Sequence, residues 1–179
     1  GTLNFADLAA MVAASTQGGP ALPAGFHVVG MLLLFVFALK AAIFPLWFWL
    51  PDSYPTCPIA ISALFFGLLT KVGVYALLRI FPLIFFAPNI REMTDIEPVL
   101  AAAAGLSLIV AILAAVAMRS VRRVLALTLM SHIGYFAFGI AMSTPDALAG
   151  SIYYMLQHMI VMAALLLCCG LIEAYHGDD

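Results

Sequence analysis

Four ionisable side chains lie where an apolar chain has least reason to keep them: Lys40, Lys71, His132 and His158. Each sits inside a long apolar stretch, roughly 9–14 residues from its end, or about 14–21 Å at a helical rise of about 1.5 Å per residue. Half the hydrocarbon thickness of a bilayer is about 15 Å, so all four fall near the centre of a membrane if those stretches span one. A lysine at that depth costs about 2.5–3.5 kcal/mol on insertion scales and is kept mainly for a task. Amines and imidazoles carry protons: desolvation favours the neutral amine, and imidazole exchanges protons near neutrality. Sodium asks instead for several oxygen ligands, and ammonium groups repel it. The four residues therefore point to a proton relay in the plane of the membrane. The alternative is that they fix helix packing, with Lys40 and Lys71 paired to carboxylates and His132 satisfied beside Ser131 and Tyr135. No Asp or Glu in this sequence accompanies the lysines at that depth.

The elements that must hold these residues follow from composition. The chain has 179 residues, 65% apolar and only 9% charged, with a mean hydropathy of +1.14. Soluble domains run near ~45–50% apolar and ~25% charged. The soluble, disordered and disulfide-scaffold classes are excluded. Seven basic against nine acidic residues leave no electrostatic footprint for nucleic acid. Cys57, Cys168 and Cys169 form no CxxC pair and lie among apolar residues, where cysteine acts as a small hydrophobe. Neither a metal centre nor a cofactor is expected. The chain opens on Gly1 without a signal-peptide pattern and reads as an internal piece of a longer polypeptide.

The expected fold is all-α: a polytopic transmembrane helical bundle read as one transmembrane domain over residues 1–179. A partial helix at 3–14 precedes five full spans near 26–54, 58–86, 99–118, 124–142 and 147–172. Pro45 and Pro51 fall in the second half of the first span and should break it, because proline lacks an N–H and clashes with the carbonyl four residues back. Carbonyls freed by the break would face Lys40, little more than one turn earlier. Arg119, Arg122 and Arg123 form the densest basic cluster, which places their loop in the cytoplasm by the positive-inside rule. Alternation then puts Asp52, Glu173 and His176 on that side, and the loop at 88–98, with Arg91, Glu92, Asp95 and Glu97, outside. Trp47, Trp49 and Tyr54 read as an interfacial aromatic anchor. Gly67, Gly73, Gly134 and Gly139 read as sites of close helix packing.

From Lys40 to Arg79 the wording becomes specific: KAAIFPLWFWLPDSYPTCPIAISALFFGLLTKVGVYALLR. It closely resembles the proton-conducting membrane transporter family, which includes the antiporter-like subunits of respiratory complex I and the Mrp-type Na⁺/H⁺ antiporters. Within the family it most resembles the D-type subunits of the Mrp antiporters. RRVLALTLMSHIGY and IYYMLQHMIVMAALLLCCGLIE extend the resemblance over residues 26–173. The resemblance implies that Lys40 matches the lysine of the family's broken seventh helix and Lys71 that of the eighth. It places His132 in the SHIGY motif of the tenth helix and matches His158 to a histidine of the eleventh. The ends of the relay would then lie before Gly1 and after Asp179. One position departs: related sequences commonly carry Lys four residues after the His158 equivalent, where this chain has Met162.

The resemblance further implies a secondary-transporter subunit rather than an enzyme, in a bacterial cytoplasmic membrane. Its partners would be other subunits of an antiporter complex, the lipid bilayer, H⁺ and Na⁺ or K⁺. A redox-driven proton-pumping subunit of complex I or a membrane hydrogenase is the alternative, and a non-conducting membrane scaffold the second.

Overall fold

The computed structural model describes residues 4–16, 25–86 and 95–176. The loop at 17–20, Pro88, Arg91, Glu92 and the side chain of His176 lie outside the described residues. All regular structure among those described is helical: α1 (Phe5–Thr16), α2 (Phe26–Ala41), α3 (Leu50–Ser53), α4 (Ile59–Phe85), α5 (Ile96–Val116), α6 (Val121–Met142) and α7 (Pro145–His176). The helices α4 to α7 are each long and apolar enough to cross a membrane.

The first expected span is where a helix is interrupted. Its sequence FHVVGMLLLFVFALKA is apolar throughout, and Gly30, Leu34, Ala38 and Ala41 form the buried stripe. The helix stops at Ala41, four residues before Pro45, the carbonyl with which a proline ring at 45 is incompatible in a continued helix. Ala42 turns into the left-handed region at φ 60°, and the Phe44–Pro45 peptide is cis. Pro51 does something else. It sits in the first turn of α3, where a missing N–H is no loss, so it opens a short helix instead of breaking a long one.

Two of the carbonyls at the end of α2 are satisfied from within the fold. Leu39 O accepts from Ala42 N at 3.2 Å and from Trp49 Nε1 at 3.2 Å, and Ala38 O accepts from Ile43 N at 2.9 Å. The expectation that freed carbonyls would hold the Lys40 ammonium is corrected: Lys40 is exposed with no hydrogen bond among the described residues, and Trp49 and the turn itself take Leu39 O and Ala38 O. Phe44 N donates to Ser107 Oγ on α5 at 2.7 Å, which fixes the chain just before Pro45. Tyr54 also departs from its expected role at a water interface. It is buried among Trp49, Phe65 and Phe66, as part of the core.

Small residues set the helix crossings. A Cβ on Gly134 would lie 2.8 Å from Ala104 O, and Ser131 Oγ donates to Leu108 O at 3.1 Å, so α5 and α6 touch backbone to backbone. Gly139 makes room for the Ser151 side chain of α7, and Gly73 of α4 meets the backbone of Phe37 and Ala41. Gly67 is different, with only Met159 O at 3.7 Å, which is ordinary contact. The centre of the bundle is α6, packed against α4, α5 and α7 and buried on most of its surface.

At one end Arg122 ties three segments together. Its Nε donates to Glu173 Oε1 at 2.8 Å, its Nη2 pairs with Glu173 Oε2, and its Nη1 donates to Pro55 O at 3.0 Å and Cys57 O at 3.2 Å. Arg123 lies 3.8 Å from Asp52, so Asp52, Arg122, Arg123 and Glu173 share one end of the bundle. Arg122→Ala should cost about 1–3 kcal/mol, the scale of hydrogen bonds to charged groups discounted for a half-exposed pair. Arg122→Lys should recover little, because an ammonium cannot grip Glu173 with two parallel bonds while reaching the turn. The unfolding midpoint of the purified assembly in detergent checks both. Equal midpoints for wild type and Arg122→Ala would show that the clamp holds nothing.

Candidate functional site

The structure brings three of the four sequence candidates together where α4, α6 and α7 meet. Lys71 is supplied by α4 and is only 3% exposed, as is His158 of α7. His132 comes from α6 and is half-buried, with its ring centre 4.4 Å from that of His158. Lys71 is within electrostatic reach of both imidazoles.

The local backbone explains how a lysine is kept there. Residues Phe65–Leu69 form a π-turn within α4, immediately before Thr70 and Lys71. Such turns widen the ladder and occur frequently at functional sites. Lys71 Nζ folds back and donates to Phe66 O at 2.5 Å, so the ammonium has one internal partner and two N–H groups left over. No carboxylate contacts Lys71 among the described residues, which removes the ion-pair version of the packing alternative within this segment.

Each histidine is held differently. His132 Nδ1 shares a hydrogen bond with the Tyr154 hydroxyl, and Tyr135 and Tyr154 flank its ring. That bond fixes the ring and leaves Nε2 as its free nitrogen. His158 packs edge-on against Phe136, and neither of its ring nitrogens has a hydrogen-bond partner among the described residues. Buried polar atoms are nearly always paired, so an imidazole with both nitrogens unpaired beside a lysine and a second imidazole marks this cluster as the candidate site. Met162, one turn further along α7, is itself buried, so an apolar side chain continues the face that carries His158.

Lys40 does not join this cluster. Its side chain is exposed, and no hydrogen bond or ion pair to it is found among the described residues, although the next residue, Ala41, is in backbone contact with Gly73, two residues after Lys71. Pro45 lies between α2 and α3 and Pro51 in the first turn of α3, and neither belongs to the cluster.

Sequence reasoning missed Tyr154, Thr70 and Ser107. The first had a usable signal, since Tyr154 precedes His158 by four residues and so shares its helical face. Ser107 had none: its partner, Phe44 N, is 63 residues away.

Comparison with known proteins shows the family to which this fold belongs. The family described as NADH:quinone oxidoreductase/Mrp antiporter, TM, matches residues 1–178. The chain is 40% identical over 177 residues to the D-type subunit of the Na(+)/H(+) antiporter of Bacillus subtilis, covering 99% of this chain and 34% of that protein. It is 32% identical over 178 residues to the M-type subunit of the NADH-quinone oxidoreductase of Mycobacterium tuberculosis, covering 99% of this chain and 31% of that one. The solved Mrp complex from a Dietzia species contains a chain that superposes with a TM-score of 0.80 at 34% identity, over 97% of this chain and 30% of that one. The chain thus spans about a third of the length of the relatives it matches. It is a multi-pass membrane chain, and it belongs to the NADH:quinone oxidoreductase/Mrp antiporter transmembrane family.

Proposed function

We propose that the chain is the middle of a proton-translocating subunit of a multisubunit Na⁺/H⁺ or K⁺/H⁺ antiporter in a bacterial cytoplasmic membrane. Protons pass among Lys71, His132 and His158, with Lys40 feeding the relay from the exposed end of α2. The observation that carries this reading is the buried cluster itself: one ammonium and two imidazoles from three helices, with no carboxylate to neutralise them in the described segment. Helix axes packed about 8–10 Å apart separate such side chains by more than one hydrogen bond, so hops between Lys71 and the histidines run through water. The basic end at Arg119, Arg122 and Arg123 faces the cytoplasm. The cation moves elsewhere in the assembly, since this cluster offers cationic groups and no set of oxygen ligands.

The name of the Bacillus subtilis relative favours antiport, and the Mycobacterium tuberculosis relative supports the redox-driven alternative. One experiment separates them. In everted vesicles from antiporter-deficient cells making the complete assembly, adding Na⁺ or K⁺ should collapse a preformed pH gradient within the time of mixing. A gradient that survives both cations at millimolar concentration would contradict antiport and leave the redox-driven pump.

A further inference from the structure

Thr70, the residue before Lys71, is fully buried, and its hydroxyl has no hydrogen-bond partner among the described residues. A threonine or serine inside a helix ordinarily turns its hydroxyl back to the carbonyl four residues earlier. Others in this chain do so: Thr128 donates to Val124 O at 2.8 Å, Ser107 to Ala103 O at 2.9 Å and Ser151 to Ala147 O at 2.9 Å. For Thr70 that carbonyl belongs to Phe66, and Phe66 O is where Lys71 Nζ is docked. The acceptor that a helical threonine ordinarily uses is thus occupied by the lysine.

We propose that Thr70 is a positioning residue for Lys71, its hydroxyl and the lysine ammonium being alternative donors to the Phe66 carbonyl. The inference rests on the relay reading above. With the ammonium docked, Thr70 is unpaired. When Lys71 turns toward His132 and His158, Phe66 O loses that donor, and the Thr70 hydroxyl closes on it. An unpaired group is therefore present in the docked state and removed in the extended one, which lowers the cost of undocking. The π-turn is part of the device, because it presents the Phe66 carbonyl to side chains both four and five residues later. No covalent bond changes. The proton handed on leaves Lys71 as a neutral amine, and the threonine keeps its own. The titratable groups within electrostatic reach of Lys71 are His132 from α6 and His158 from α7, while Lys40 of α2 is exposed.

The test uses the complete assembly in everted vesicles and compares wild type, Thr70→Val, Thr70→Ser and Lys71→Ala. Thr70→Val keeps shape and removes a hydroxyl that is unpaired in the docked state, so assembly and unfolding midpoint should be unchanged or slightly raised. Its maximal exchange rate should fall about five- to tenfold, the worth of one unmade neutral hydrogen bond, with the half-saturating cation concentration unchanged. Thr70→Ser should restore the rate to within about twofold, because its hydroxyl reaches the same carbonyl. Wild-type rates in Thr70→Val, with Lys71→Ala inactive, would overturn the inference and spare the relay. Normal exchange in Lys71→Ala would overturn the relay and the inference with it. Should Thr70→Val fail to assemble, Thr70→Ala against Thr70→Ser is read the same way, and equal rates in that pair overturn the proposal.

Discussion

Gly73→Ala should lower both the yield and the unfolding midpoint of the assembly, and Gly73→Val should largely abolish assembly. A Cβ at position 73 would lie 2.7 Å from Ala41 N, 3.0 Å from Phe37 O and 3.1 Å from Ala41 Cα. All three are backbone atoms of α2, so no flexible side chain can move aside and the two helices must separate. Forcing extra carbon into a close-packed contact typically costs about 1–3 kcal/mol, and a branched side chain adds to that. The displacement is also local to the site, because Gly73 follows Lys71 by two residues and Ala41 ends the interrupted helix. Gly67→Ala is the matched control. It lies in the same helix, its added Cβ would meet only Met159 O at 3.7 Å, and replacing Gly by Ala in a helix is worth about 1 kcal/mol in its favour. Size-exclusion yield and thermal unfolding of the detergent-solubilised assembly compare the two. Similar behaviour of Gly73→Ala and Gly67→Ala would show that the α2–α4 crossing does not depend on close approach.

Much of this architecture was legible because it rests on local rules. Apolar runs of membrane length mark helices without regard to tertiary contacts, and a proline marks where a helix cannot continue. The interruption therefore falls where Pro45 requires, four residues upstream of it. What the sequence hid were choices settled between distant segments. Pro51 and Pro45 look alike as breakers, yet only the surrounding turn decides that Pro51 starts a helix. Tyr54 has the composition of an interfacial residue, and its burial depends on Phe65 and Phe66 returning over it. The freed carbonyls near Lys40 went to Trp49 Nε1 and to backbone N–H groups, a competition no pattern in the sequence ranks.

The candidate site divides along the same line. Spacing placed Lys71, His132 and His158 at one depth, because depth is arithmetic on helix length. It placed Lys40 there too, but the direction a side chain faces depends on helix rotation, which is set by packing. The hydrophobic stripe of α2 runs through Gly30, Leu34, Ala38 and Ala41, so Lys40 is turned off the buried face. Thr70 was invisible for a further reason. Its unpaired state follows from a π-turn and from a lysine folding back on it, neither of which has a sequence signature.

The most direct test of the relay is the exchange rate of the complete assembly with Lys71 replaced. Lys71→Ala and Lys71→Met, the second keeping most of the volume of the stem, should assemble in normal amounts by immunoblot. Their cation-induced collapse of the pH gradient should be slowed about a hundredfold or more, the scale on which a positioned proton-transfer group contributes. If both variants assemble and exchange at the wild-type rate, protons do not pass through Lys71, and the buried cluster is a packing device.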